Sequence, residues 1–204
     1  MQPLRRRGLP RSVEIVCAGA GVILLAPLAA VIALAIKASD RGPVFYRQQR
    51  IGKGFRPFLL LKFRTMIVDA ERGGLLTGPG DARVTRPGRI LRKYKLDELP
   101  QLVNVLLGDM QLVGPRPEVS RYVELFRPQY EQLLRQAPGL TDPASIAYRD
   151  EESCFSADNL EGEYLSRILP RKLDLSLEYQ RRRTFFSDLR MLLSTITKLP
   201  KSRA

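Results

Sequence analysis

The sequence predicts an α+β fold, mainly helical, with an N-terminal membrane helix, one small β-hairpin and amphipathic interfacial helices around a compact polar domain. Three observations carry this prediction. A charge-free apolar block fills Ile15–Ile36, two β-rich runs flank a Gly-Lys-Gly turn at 52–54, and helical segments punctuated by Gly and Pro occupy most of the chain after Gly88. At 204 residues, 44% of them hydrophobic and 27% charged, the chain reads as globular rather than disordered. It divides into residues 1–40, a basic start plus the membrane helix, and 41–204, the polar domain.

The apolar block reads IVCAGAGVILLAPLAAVIALAI, 22 residues long. A bilayer crossing needs about 20, whereas the apolar region of a cleaved signal is about 7–15. Arg5, Arg6, Arg7 and Arg11 precede it, and Lys37, Arg41, Arg47, Arg50 and Lys53 follow it. Basic flanks stay on the cytoplasmic side, so a simple span should be asymmetric, and this one is not. Pro27, after Ala26, removes an amide donor midway. Two geometries follow: a helix that enters one leaflet, breaks at Ala26–Pro27 and returns, or a proline-kinked helix that spans. Glu14 is placed to pair with Arg11 at the interface.

Val44–Ile51 and Phe55–Met66 then form the hairpin, with Pro57 marking an edge or irregular position. RGGLLTGPGDARVTRPG, residues 72–88, has five glycines and two prolines and reads as loop. A helix begins near Gly88, and another at Asp97, with Asp97 as N-cap, Pro100 in the first turn and Gly108 as the stop. The turn GPRPE at 114–118 leads to a helix over 119–135 that Pro128 bends or divides. After a second loop from Ala137, helices cover 160–183 and 188–198. In the last, Leu189, Leu192, Leu193 and Ile196 share one face while Arg190 and Lys198 lie elsewhere.

A net charge of +13 favours a polyanionic partner: nucleic acid, an anionic membrane or a phosphorylated substrate. Aromatic residues are 7%, with no Trp, so no base-stacking platform is apparent and nucleic acid is not expected. Histidine is absent, which removes Ser-His-Asp and Cys-His mechanisms and leaves Asp, Glu, Lys and Tyr for proton or nucleophile work. Cys17 and Cys154 are two isolated cysteines, giving neither a disulfide framework nor zinc spacing.

The most informative run is LRKYKLDELPQLVNVLLGDMQLVGPRPE, residues 91–118. Asp97 and Glu98 are adjacent at a helix start just after Arg92, Lys93 and Lys95. Helix capping accounts for such a pair. A carboxylate pair among cations equally suits a divalent metal and a phosphate-bearing substrate. Lys62, Arg64, Arg83, Arg86, Arg92 and Arg116 recur in short loop-like motifs. Arg116, stiffened between two prolines, is placed for bidentate phosphate contact.

The motifs KFRTM at 62–66, DARVTRPGRILRKYKLDELPQL at 81–102, NVLLGDMQLVGPRPE at 104–118 and APGLT at 137–141 resemble the bacterial sugar transferase family of monotopic phosphoglycosyl transferases. With the apolar block and its Ala26-Pro27 pair, the similarity runs in order through nearly the whole chain. It resembles the minimal catalytic form, without the extra N-terminal membrane helices of larger relatives.

The resemblance implies a re-entrant membrane anchor on the cytoplasmic face of the bacterial inner membrane. It also implies a two-step transfer of a sugar phosphate from a UDP-sugar to polyprenol phosphate, in the first membrane step of surface-glycan assembly. Asp97 would be the nucleophile, and Glu98 would help to hold Mg²⁺ with it. Arg92 and Arg116, with Lys62, Arg64 and Arg83, would contact phosphate, and the loop around Gly78–Arg86 the nucleotide. Many members continue PGLT into an Asn-Gly-Arg turn, whereas here the chain reads PGLTDPASIAYRDEES, which marks a different subgroup and leaves the donor sugar open. An acidic position expected shortly before Tyr179 is Ser176, with Asp174 nearby. The sequence leaves room for a homodimer but shows no heptad or symmetric patch that argues for one. The reading of a different class is a membrane-tethered basic module, without catalysis, that binds anionic lipid or nucleic acid.

Overall fold

The computed structural model describes residues 8–70, 74, 76–155 and 159–197. Arg5, Arg6, Arg7 and Lys198, part of the 72–88 loop, and the side chain of Ile196 lie outside them.

Helix α1, Arg11–Asp40, carries the apolar block in 30 residues. At about 1.5 Å per residue it is roughly 45 Å long, more than the ~30 Å hydrocarbon core. Val16, Ile23, Leu24, Val31 and Leu34 are exposed along it, an apolar surface that water would not favour. The expected break at Ala26–Pro27 does not appear as a loss of helix: α1 runs through both residues. Proline forfeits only one hydrogen bond, and helical turns continue on either side.

Both ends of α1 are fastened to the rest of the chain. At the start, Val13 and Ala18 pack with Leu60, Val105 and Met110, while the Arg11 guanidinium donates to the carbonyls of Val105 and Leu106. Arg11 also pairs with buried Glu14 at 3.6 Å, as the sequence suggested. Farther along, Ile32 and Ile36 pack with Phe63 and Leu91. The Asp40 carboxylate receives the Arg64 guanidinium, whose hydrogen bonds hold the Asp40 pKa down to about 2.

The hairpin forms as expected. Strand β1, Phe45–Ile51, pairs antiparallel with β2, Pro57–Phe63, in a register that sets Phe45 opposite Phe63 and Ile51 opposite Pro57. Pro57 opens its strand, where a missing N–H costs least. A bridge between Met66 and Val84 closes the loop that follows. Helix α2, Arg86–Tyr94, starts slightly before the expected Gly88 because Thr85 caps it, accepting from the Gly88 amide.

A short 3₁₀ turn, Leu96–Glu98, leads to α3, Gln101–Leu107, which ends at Gly108 as predicted. Strand β3 is Gln111–Val113. The helix expected over 119–135 divides just before Pro128, into α4, Ser120–Leu125, and α5, Arg127–Leu133. Strand β4, Gly139–Thr141, lies parallel to β3. Helix α6 is Pro143–Ala147 and α7 is Leu160–Glu163. A single π turn, Tyr164–Ile168, then leads into α8, Leu169–Arg182. Helix α9, Phe185–Thr197, leaves Phe186, Leu189 and Leu193 exposed and packs Met191 and Leu192 against the core that holds the start of α1.

The largest core cluster gathers Tyr122, Val123, Tyr130, Leu133, Tyr164, Ile168 and Leu169 from α4, α5, the π turn and α8. A buried polar lock ties the ends of the chain together. Arg183 binds Asp188, the Val113 carbonyl and Gln111, while Asp188 also accepts from the Leu9 amide and the Tyr179 hydroxyl.

Candidate active site

The hairpin, the α2–α3 corner, the 115–118 turn and the segment after α6 surround a cavity of about 1290 Å³. Its chemistry starts at Lys95. This residue ends α2 in the left-handed region, φ 57°, and swings the chain into the 3₁₀ turn that carries Asp97 and Glu98. The expectation that Asp97 caps a helix is corrected here. The α-helical ladder begins only after Pro100, and Asp97 makes no capping hydrogen bond. Asp97 is instead buried at the cavity, and its Oδ1 has no hydrogen-bond partner among the described residues.

Glu98 is held quite differently. Arg116 grips both of its oxygens, with Nη1 donating to Oε2 at 3.1 Å and Nη2 donating to Oε1. Pro115 and Pro117 fix the backbone that presents Arg116, and Lys62 reaches the same place from β2.

The two neighbouring carboxylates therefore titrate apart. Burial raises the Asp97 pKa and the Glu98 charge adds to that, against a downward pull from Lys62, Lys95 and Arg92. Burial also pushes Glu98 up, but the charge and hydrogen bonds of Arg116, helped by Lys62, prevail and hold it well below the usual carboxylate range. Burial and the nearby Arg116 bring Lys62 down to about 8. The Glu98 charge raises Arg116. Adjacent acids driven in opposite directions are a signature of a reactive centre rather than of helix capping.

Of the other residues singled out from sequence, Arg92 lines the cavity and pairs with Glu152, Nε to Oε1 at 2.8 Å. Arg64 borders the cavity, yet its guanidinium is committed to Asp40, to the Pro43 carbonyl at 2.6 Å and to the Met66 carbonyl at 3.2 Å. Arg83 binds Asp81 and the carbonyls of Ala70, Gly74 and Leu76, so it gathers the 70–83 loop instead of facing the cavity. The structure thus brings Lys62, Arg92, Asp97, Glu98 and Arg116 together. Arg64 and Arg83 act as fasteners, and Ala26 and Pro27 sit apart on exposed α1.

Sequence reasoning missed several residues of the wall. Glu118 accepts from Arg50 and, at 2.6 Å, from the Tyr164 hydroxyl, while Lys172 pairs with Glu151 at 3.0 Å. These partners lie 21 to 68 residues apart, and no local pattern joins them. Ser176, where an acid was expected, is buried and donates to Asp142, which also caps α6 through the Ser145 amide. The carboxylate in this region is therefore Asp142, and Asp174 is exposed.

The chain is similar to several known bacterial proteins. The UDP-glucose:undecaprenyl-phosphate glucose-1-phosphate transferase of Caulobacter vibrioides is 36% identical over 200 residues, covering 93% of this chain and 68% of that protein. The exopolysaccharide production protein ExoY of Rhizobium meliloti is 34% identical, over 95% of this chain and 86% of its own length. The UDP-N-acetylgalactosamine-undecaprenyl-phosphate N-acetylgalactosaminephosphotransferase of Aeromonas hydrophila is 40% identical over 69% of this chain, which spans only 34% of that protein. The bacterial sugar transferase profile matches residues 5–202, the whole cavity included, and the chain belongs to that family.

Proposed function

We propose that this chain transfers a sugar 1-phosphate from a UDP-sugar to polyprenol phosphate, with release of UMP. The supporting observation is Asp97: a buried carboxylate oxygen without a partner among the described residues, in a cavity where Glu98, Glu151 and Glu152 are already paired with cations. An Asp97 oxygen attacks the sugar-linked phosphorus. The bond from that phosphorus to the bridging oxygen breaks, and its electron pair leaves with UMP. An oxygen of polyprenol phosphate then attacks the same phosphorus, which frees Asp97 and forms the diphosphate-linked sugar. The covalent relay lets a soluble donor and a lipid acceptor use one site in turn. Arg116 holds Glu98 in place, while Lys62 and Arg92 offer positive charge to the phosphates.

Among the described residues no group of three or more His, Cys, Asp or Glu is arranged to hold a metal ion. Magnesium does not need one, because it takes one or two carboxylates and fills its shell with water and substrate phosphates. Asp97 and Glu98 would hold it, and when bound it neutralises phosphate charge and spreads the charge that develops during transfer.

The domain sits on the cytoplasmic face of the bacterial inner membrane. The fastening of both ends of α1 to one polar domain supports entry and exit on one side. Relatives are named for different sugars, so the donor sugar is set outside the shared residues. The deciding experiment is Asp97→Asn in detergent-solubilised protein with Mg²⁺. It should release no UMP from a UDP-sugar, with or without polyprenol phosphate. Near-normal turnover would refute the assignment. Salt-sensitive lipid or nucleic-acid binding without turnover in the wild type would instead indicate a non-catalytic module.

A further inference from the structure

Several of the arginines and lysines that line the cavity are already paired with acids. Arg50 binds Glu118, Arg92 binds Glu152, Arg116 binds Glu98 and Lys172 binds Glu151. Arg149 differs from them: it lines the same cavity, yet its Nη2 is buried and has no hydrogen-bond partner among the described residues. Buried polar nitrogens are almost always partnered, and a guanidinium cannot escape the cost by losing its proton.

The backbone that carries Arg149 is pinned on both sides. Before it, Asp142 caps α6 and accepts from Ser176. After it, Glu151 and Glu152 reach Lys172 and Arg92. A donor group carried on this fastened segment in a basic cavity, with nothing to donate to, suits an anionic oxygen acceptor that arrives with the substrate. Little ordering entropy remains to be lost when that acceptor binds.

We propose that Arg149 binds the diphosphate of the nucleotide donor, donating to non-bridging phosphate oxygens. This rests on the transfer reading above and extends it to the segment where the chain departs from the common Asn-Gly-Arg continuation. The lipid acceptor also carries phosphate, so the test must separate the two sources. Arg149→Gln should raise KM for the UDP-sugar about tenfold or more, the size of a lost charge-assisted hydrogen bond. KM for polyprenol phosphate should stay within about twofold, and the thermal midpoint should hold or rise, because no hydrogen bond or ion pair among the described residues is removed.

UDP affinity, measured by calorimetry on the same detergent-solubilised protein, should weaken by a similar factor. A KM rise confined to the acceptor, a donor KM within about threefold of wild type, or a drop in thermal midpoint overturns the proposal. Wild type that turns over no UDP-sugar would sink the transfer reading alone. UDP binding to wild type and to Arg149→Gln would still decide the role of Arg149, since equal affinities, or none in either, would overturn it.

Discussion

At the scale of single residues, the site depends on how differently two adjacent acids are treated. Lys62, brought down to about 8 by burial and by Arg116, adds a handle on the alkaline side. A donor phosphate is best held while Lys62 is charged, so kcat/KM for the UDP-sugar should fall as pH rises through about 8. Lys62→Arg, which stays protonated, should remove that limb. A wild-type profile flat from about pH 7 to 9.5 would refute a charged role for Lys62. The raised pKa of Asp97 works from the other side, moving the acid limb above the usual ~4 of an aspartate. Asp97 and Glu98 were legible in the sequence because they are adjacent and sit among cations in a specific motif. Arg64 and Arg83 were not, because a loop arginine reads the same whether it faces a phosphate or a backbone carbonyl. Arg149 gave no signal, since lacking a partner is a property of three-dimensional surroundings alone.

At the scale of elements, the sequence resolved those with a strong local pattern: α1, the hairpin, and the division of α4 from α5 at Pro128. It did not show β3 and β4, three residues each, too short for any alternation to register. Their pairing depends on close backbone approach. A Cβ on Gly139 would lie 2.1 Å from the Gly114 amide nitrogen, and that backbone cannot give way. Gly139→Ala should therefore cost about 3 kcal/mol or more in chemical denaturation, at the top of the overpacking range. Gly54→Ala in the hairpin turn meets no atom within 4 Å and should cost only about 1 kcal/mol, from its left-handed backbone. Equal losses for the two would show that the β3–β4 contact is not tight. The Asp97 turn was misread for a related reason: Pro100 has no N–H, so the ladder starts later than an acidic N-cap suggests.

At the scale of the whole molecule, α1 is fastened near both of its ends. Arg11 reaches the α3 carbonyls and Asp40 binds Arg64, so both ends belong to one polar body. In intact cells, single cysteines placed near Arg7 and near Lys37, in a background with Cys17 and Cys154 replaced, should both resist a membrane-impermeant thiol reagent and both react after lysis. Labelling of one of them from outside would establish a span. The apolar block and its flanking basic residues gave the expectation of a membrane helix, and α1 is long and apolar enough for one. The continuity of helix through Pro27 was beyond them, because proline permits either outcome when neighbouring turns are well supported.

The buried bond from the Leu9 amide to Asp188 joins residues 179 positions apart. It has a consequence for biogenesis. The hydrophobic helix leaves the ribosome well before its clasp. At about 5–20 residues per second, roughly 10 to 40 s pass between the two. Throughout that interval the Leu9 amide lacks its Asp188 acceptor, which arrives only with α9.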